Sequence, residues 1–393
     1  MRRKKIIGVV LMILVIGLTG CGLKTNTSSS ENSTSTNSTT NNATPTSTQL
    51  SKSDIFTDRD LEQNVDTSNA TKYSVSDNKN ITIDKEGIYV ISGSAKNVSI
   101  IVDTDDESKV QLVLSDLTIT NESTPCIYVK NADKVFVTIT GNNNLTVNKT
   151  FTSDGTTNTD AVIFAKDDLV INGTGNLNIS STNNGITSKD DLKITGGTIS
   201  IDCTADALEA NNSIAIYDGT ITINTKKDGL HAEYDEDDSV GYVYIAGGTL
   251  SVTASDDAIH ATTIVQIDGG NITTNSKEGI EGTYIQINDG TISIKATDDG
   301  INAGSKSKKY SVTIEINGGS ISVEMGQGDT DAIDSNGNIY INGGTINITA
   351  QSAFDYDGEG KLNGGKVTVN GSEITELTNQ MMGGHGGKNI RRR

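Results

Sequence analysis

Between Asn184 and Asp334 the chain returns to an acidic or amide residue at each turn of a repeat. The series is Asn184, Asp206, Asp228, Asp257, Glu278, Asp299 and Asp331, each followed by Gly or Ala. Three residues further on stands a second series: Thr187, Glu209, His231, His260, Glu281, Asn302 and Asp334. Carboxylates stacked about 4.8 Å apart repel by roughly 3 kcal/mol per adjacent pair at an effective dielectric of 20, so something must offset them. A bound cation is the simplest offset. Calcium suits the residue types, because it takes several oxygens at about 2.3–2.6 Å and can reach a carboxylate from each of two neighbouring turns. The candidate metal ligands are Asp206, Glu209, Asp228, Asp257, Glu278, Glu281, Asp299, Asn302, Asp331 and Asp334. A soft metal fits less well, since neither series holds a cysteine and only His231 and His260 supply nitrogen.

A reading without metal also stands. Asp and Asn are common corner residues, and their side chains can bond backbone amides, which would account for the first series alone. The second series is out of phase with the apolar residues and is expected to face solvent. A third series, one residue before the first, runs Ala205, Lys227, Asp256, Lys277, Asp298 and Thr330, with signs that alternate as in a salt-bridge ladder. Lys227 and Lys277, with His231 and His260, are the candidate contacts to an anionic ligand. Inserts follow Ala232 (EYDEDDSVGY) and Ala303 (GSKSKKYS). The first gathers acids as a calcium loop would but lacks EF-hand spacing, and the second gathers lysines suited to a polyanion.

The elements that place these residues are short and regular. LKITGGTISIDCTADALEA, IAIYDGTITINTKKDGLHA and VYIAGGTLSVTASDDAIHA are one sentence repeated. The turn glycines Gly175, Gly197, Gly219, Gly248, Gly270, Gly290, Gly319, Gly344 and Gly365 stand 22, 22, 29, 22, 20, 29, 25 and 21 residues apart. A fixed period of this size means a solenoid, and segments that alternate and are rich in Ile, Thr and Val make it a β-solenoid. Ile194, Ile199, Ile201, Leu208 and Ala210 share one phase and are expected inside. The expected fold is all-β: a right-handed parallel β-helix with three short strands per coil. Ser51 to Thr159 is less regular but strand-like, and reads as the first coils. Cys203 continues the inward phase and is expected as a buried free thiol. The tail 378–393 is glycine-rich and basic, with no folding pattern.

Arg2, Arg3, Lys4 and Lys5 precede an apolar run to Leu18, which reads as a secretory signal over residues 1–20 rather than a spanning helix. Leu18-Thr19-Gly20-Cys21 resembles the lipobox of bacterial lipoproteins, which implies lipidation at Cys21 and a surface protein anchored to the membrane. Residues 21–50, rich in Ser, Thr and Asn, form a tether too polar to bury a core. The repeat domain is then 51–377. A net charge of −19 disfavours nucleic acid as a partner. A monomer is expected.

Lipobox, tether and GGTISI…DDGI-x-A repeats together resemble a family of bacterial surface carbohydrate-binding proteins known from clostridia. The resemblance covers about Ser51 to Leu377. It implies a pectate-lyase-like right-handed β-helix, surface calcium sites, and binding of acidic polysaccharide such as polygalacturonate, with cellulose as a further ligand. Only the repeated D-G/A-I/L-x-A residues carry over, and His231 and Asn302 depart from a uniform acidic pattern. A calcium ion held by the columns would bridge to sugar carboxylates that the bare protein repels. The absence of Trp argues against a flat aromatic platform, leaving Tyr284 and Tyr340 as isolated stacking surfaces. Two alternatives remain open. One is a polysaccharide lyase or hydrolase, against which Arg59 is the only Arg between signal and tail, His385 lies in the tail, and the Asp pairs recur as repeat elements. The other is a structural spacer or adhesin.

Overall fold

The repeat Leu192–Ala210 folds as the strands Asp191–Ile194, Thr198–Asp202 and Leu208–Ala210 in the computed structural model, which describes residues 50–327 and 330–379. Each strand pairs in parallel with its equivalent in the next repeat. Leu192 lies opposite Ile214, Ile199 opposite Ile221, and Leu208 opposite Leu230. Carried along the chain, this pairing builds one sheet of 12 strands and one of 24. The fold is all-β and solenoid-like. Among the described residues the single helix is the turn Lys52–Ile55, and none is long and apolar enough to cross a membrane.

Period-two alternation supplies the core. In Thr198–Asp202 the two isoleucines are buried and Thr198, Ser200 and Asp202 are exposed. In-register stacking turns each inward position into a file: Ile194, Ile216, Ile245, Ile267, Ile287, Ile316 and Ile341 lie one above another with at most 1% exposure. Burying each contributes about 1.5–3 kcal/mol. The turn glycines are required by the same stacking. Gly248 has φ +84°, and a Cβ there would stand 2.8 Å from the Gly219 carbonyl oxygen of the previous repeat. Cys126 and Cys203 are both buried free thiols.

The segment 50–70 departs from the expected first coils. It lies as a strap along the outward row Phe136, Val170, Lys193, Ala215, Tyr244 and Gln266 of the larger sheet. Leu50 N–H donates to Gln266 at 2.6 Å, Ile55 and Phe56 pack on Ala215 and Tyr244, and the Arg59 guanidinium sits 4.4 Å over the Phe136 ring. Gln63 accepts from Gly173 N–H at 2.9 Å. The physical reason is that Phe136, Val170, Ala215 and Tyr244 give this outward row apolar surface that needs a cover, while Lys193 and Gln266 supply polar anchors for it. Winding begins at the strand Thr71–Ser74, which pairs with the next turn. At the other end the one antiparallel pair among the described strands, Lys366–Val369 with Ser372–Ile374, covers the edge of Lys366–Val369. The signal, Cys21, all but the last residue of the tether, and the tail from residue 380 lie outside the described residues.

Asp60 pins the strap. Its side chain is fully buried, 3.1 Å from Lys193 Nζ and 3.6 Å from Lys134 Nζ. Burial alone would raise its pKa, but the Thr57 amide and the two lysines outweigh it and hold the carboxyl low. Asp60→Ala would leave the buried Lys193 without its carboxylate, while Lys134 keeps Asp168 at 3.4 Å, and is expected to cost about 3–5 kcal/mol in urea unfolding. A loss under about 1 kcal/mol would mean that the strap is not held by this contact.

Candidate functional site

The first acidic series sits at the corner that leads into the 12-stranded sheet. Asn184, Asp206, Asp228 and Asp257 are buried there, while Glu278, Asp299 and Asp331 are half-buried. One side-chain oxygen of each early member accepts the backbone amide of the next. Asp206 N–H donates to Asn184 at 3.0 Å, Asp228 N–H to Asp206 at 3.2 Å, and Asp257 N–H to Asp228 at 3.0 Å. Asp331 N–H likewise donates to Asp299 at 3.1 Å. A ladder of corner carboxylates therefore replaces backbone bonds that the turn cannot make. It uses one oxygen per carboxylate and leaves the second for other partners.

The second series is the outward row of the strands Asn184–Ser188, Leu208–Ala210, Leu230–Ala232, Ile259–Ala261, Ile280–Gly282, Ile301–Ala303 and Asp331–Ser335. Register stacks Thr187, Glu209, His231, His260, Glu281, Asn302 and Asp334, and continues to Asp355. The row does not face open solvent as its phase suggests. Thr187, His260 and Glu281 are buried and the others half-buried, because the flanking corner series and the two inserts rise beside it.

Positive charge is spread unevenly along this row. Lys189 pairs with Glu209 at 2.9 Å, Lys227 with Asp206 at 2.7 Å, and Lys306 with Glu281 at 2.8 Å. Lys277 stands 3.4 Å from Asp256 and 3.6 Å from Asp298, as the alternating third series implied. His231 Nδ1 is 2.5 Å from Asp228, and His260 Nδ1 is 2.9 Å from Asp257 and 2.8 Å from Glu281. Burial would lower the pKa of both histidines, but these carboxylates and Glu233 outweigh it, raising His231 to about 9 and His260 to about 11. Burial raises the carboxyl of Glu209 too, but Lys189 outweighs it and holds it low.

Beyond Glu281 the compensation stops. Among the described residues no Lys, Arg or His forms an ion pair with Asp299, Asp334 or Asp355. Burial first, then Asp334, Glu278 and Asp298, push Asp299 up to about 7. Burial first, then Asp355, Asp331 and Asp357, push Asp334 up to about 6. Among the described residues this end of the row has no cation paired with Asp299, Asp334 or Asp355, and it is oxygen-rich in the way a hard cation requires.

Several residues differ from their sequence-based roles. The first insert is no acidic loop turned outward as a unit, since Glu233 folds back to the two histidines. In the second insert Lys306 is engaged by Glu281, and Lys309 donates to the Ser239 carbonyl at 3.2 Å, joining the two inserts. Tyr284 is buried with its hydroxyl on Glu315, so it offers no stacking surface, and Tyr340 donates to Glu359 at 3.2 Å. Asp355 and Lys189 were missed. Asp355 was visible in Ala353-Phe354-Asp355, which repeats Ala332-Ile333-Asp334, whereas Lys189 has no equivalent in the following repeats. A cavity of about 450 Å³ opens beside the row, lined by Lys189, Asp206, Glu209, Lys227, His231 and Glu233 among others.

Residues 77–331 and 277–388 match a family model described as carbohydrate-binding domain-containing protein. A relative of that description from Acetivibrio thermocellus is 40% identical over 276 residues, covering 68% of this chain and 90% of the relative. Among solved structures, a polysaccharide lyase-like protein from C. thermocellum, determined as a gadolinium derivative, is 32% identical with a TM-score of 0.53, over 56% of this chain and 96% of that one.

The uncompensated carboxyls make a test by pH. Folding raises Asp299 from 3.8 to about 7 and Asp334 from 3.8 to about 6, so protons favour the folded state. Their stabilisation is complete below about pH 4 and is lost as pH climbs through those folded values. Burial raises Asp257 to about 7 and Asp168 to about 6 as well, so these carboxyls act in the same direction over the same interval, and the raised histidines do so at higher pH. In chelator, the Tm should therefore fall between about pH 5 and about pH 8, and calcium should restore it at the upper pH while changing little at the lower. A Tm that rises over this interval would contradict the assignment.

Proposed function

The chain belongs to the carbohydrate-binding domain-containing protein family, and on that premise we propose that it is a noncatalytic, calcium-dependent binder of acidic polysaccharide. The ligand class is polygalacturonate-like, and the protein is carried at the cell surface by a lipid on Cys21. Winding is taken as right-handed with three strands to a coil, following the general preference of parallel crossovers.

The observation that carries this reading is the stretch of raised, uncompensated carboxyls at Asp299 and Asp334. A chain of net charge −19 repels a polyuronate. A dication reverses the local sign where Asp299, Asn302, Asp331, Asp334 and Asp355 stand, and calcium keeps coordination positions that sugar carboxylates can fill. The earlier members Asp206, Glu209, Asp228 and Asp257 are each paired with a lysine or histidine and are weaker calcium candidates. Lys227 and Lys277 are held by acids, so contact with an anionic sugar would require them to exchange partners.

A lyase is the second reading, favoured by the polysaccharide lyase-like neighbour. Arg59, the one arginine between signal and tail, is stacked on Phe136 beneath the strap on the larger sheet, whereas the acidic row belongs to the 12-stranded sheet. That placement favours binding without cleavage.

Pull-down of the full chain on polygalacturonate should succeed with calcium and fail with chelator, and Asp299→Asn combined with Asp334→Asn should weaken it by at least about tenfold, roughly the worth of one lost charge-assisted contact. Chelator-independent retention would remove the bridge, and release of unsaturated oligosaccharides would establish the lyase.

A further inference from the structure

His231 and His260 take no part in the calcium reading, yet they are among the most constrained side chains of the row. Their rings stack with centroids 4.7 Å apart and planes 5° from parallel. Each Nδ1 is fixed on the aspartate three residues before it, Asp228 or Asp257. Both Nε2 atoms lie near the same carboxylate oxygen, Glu233 Oε2, at 3.2 Å from the first and 3.3 Å from the second. His260 is only 8% exposed, and its Nε2 is buried without a hydrogen bond despite that neighbour. Glu233 offsets the charge of this ring without completing an aligned hydrogen bond to it, which leaves the Nε2 open to a better-placed partner.

We propose that His231, His260 and Glu233 form a site for a borderline divalent transition metal, with zinc as its representative. The separations support this. Bonds of about 2.0–2.1 Å in a tetrahedral centre set neighbouring ligand atoms about 3.3–3.4 Å apart, close to both observed nitrogen–oxygen distances. The two nitrogens lie within 4.8 Å of each other, a limit wider than tetrahedral bonds allow, and the near-parallel rings carry their lone pairs side by side, so metal entry requires both rings to rotate out of the stack toward Glu233 and to release their protons. Asp228 and Asp257 hold the outer nitrogens as carboxylates do behind metal-bound histidines, fixing the tautomer and strengthening the ring as a ligand.

The donor set separates this site from the oxygen-rich end of the row. Two imidazoles and one carboxylate select a transition metal over calcium. Three protein ligands leave a fourth position, and because His231 and Glu233 also line the cavity of about 450 Å³, that position faces open space where water or a sugar oxygen can enter. Glu233 arrives on the insert after Ala232, so the insert supplies the ligand that the repeats lack.

The test uses the full, tag-free chain, stripped of metal and kept in saturating calcium chloride. Titration with zinc chloride in a calorimeter should give one ion per chain, and cobalt chloride should give the visible absorption of a four-coordinate nitrogen and oxygen site. His231→Ala, His260→Ala and Glu233→Gln should each weaken zinc by at least about tenfold, with circular dichroism confirming the β fold of each variant. Glu233 lies on the insert, so its variant keeps the test open if a histidine variant fails to fold. Absence of zinc binding, binding unchanged in Glu233→Gln, or loss caused by His385→Ala alone would overturn the proposal. Because calcium is saturating, failure here leaves the calcium reading untouched, and loss of polygalacturonate binding would leave this site untouched.

Discussion

Parallel, in-register stacking places identical positions of successive coils about 4.8 Å apart, and the rest of the molecule follows from what each file of residues does at that spacing. An isoleucine file excludes water and becomes the core. A glycine file allows corners to approach within contact of the previous backbone. A carboxylate file is a problem, because like charges at this distance repel by a few kcal/mol per pair in a partly shielded site. The chain meets that problem in three ways along one row: amide hydrogen bonds at the corner, lysines and histidines over Glu209 to Glu281, and no described cationic side chain over Asp299, Asp334 and Asp355. Function is read from the third stretch.

Files of this kind are legible in sequence because the period is short and each position repeats. The Ile199 and Ile201 phase, the glycine corners and the acidic series could be aligned by eye, and the structure stacks them in that order. The strap was not legible. Its partners lie far off in the chain, as with Leu50 on Gln266 and Gln63 on Gly173, and a segment without repeats gives no periodic signal for such contacts. Burial of the second row was missed for a related reason. Phase gives the direction of a side chain but not the height of the inserts beside it. Glu233 illustrates this: in sequence it opens an acidic run, and in space it is the one acid of that run that reaches both histidines.

The row thus divides into two chemically different parts. Nitrogen ligands and an insert carboxylate gather around His231 and His260, whereas only oxygen gathers beyond Glu281. One fold can hold a borderline metal and a hard cation a few coils apart without exchange, since donor type and not position discriminates between them. Membership in a carbohydrate-binding family makes a polysaccharide the ligand class, and the proposed calcium would let a sugar acid approach an acidic protein at the oxygen-rich part.

The central claim is that the uncompensated carboxyls hold a hard cation. A calcium-soaked crystal measured for anomalous scattering tests it most directly. The account predicts a peak within about 2.3–2.6 Å of carboxylate oxygens from the Asp299, Asp334 and Asp355 stretch. Carboxylates there surrounded only by water, with the peak absent at full calcium, would contradict it.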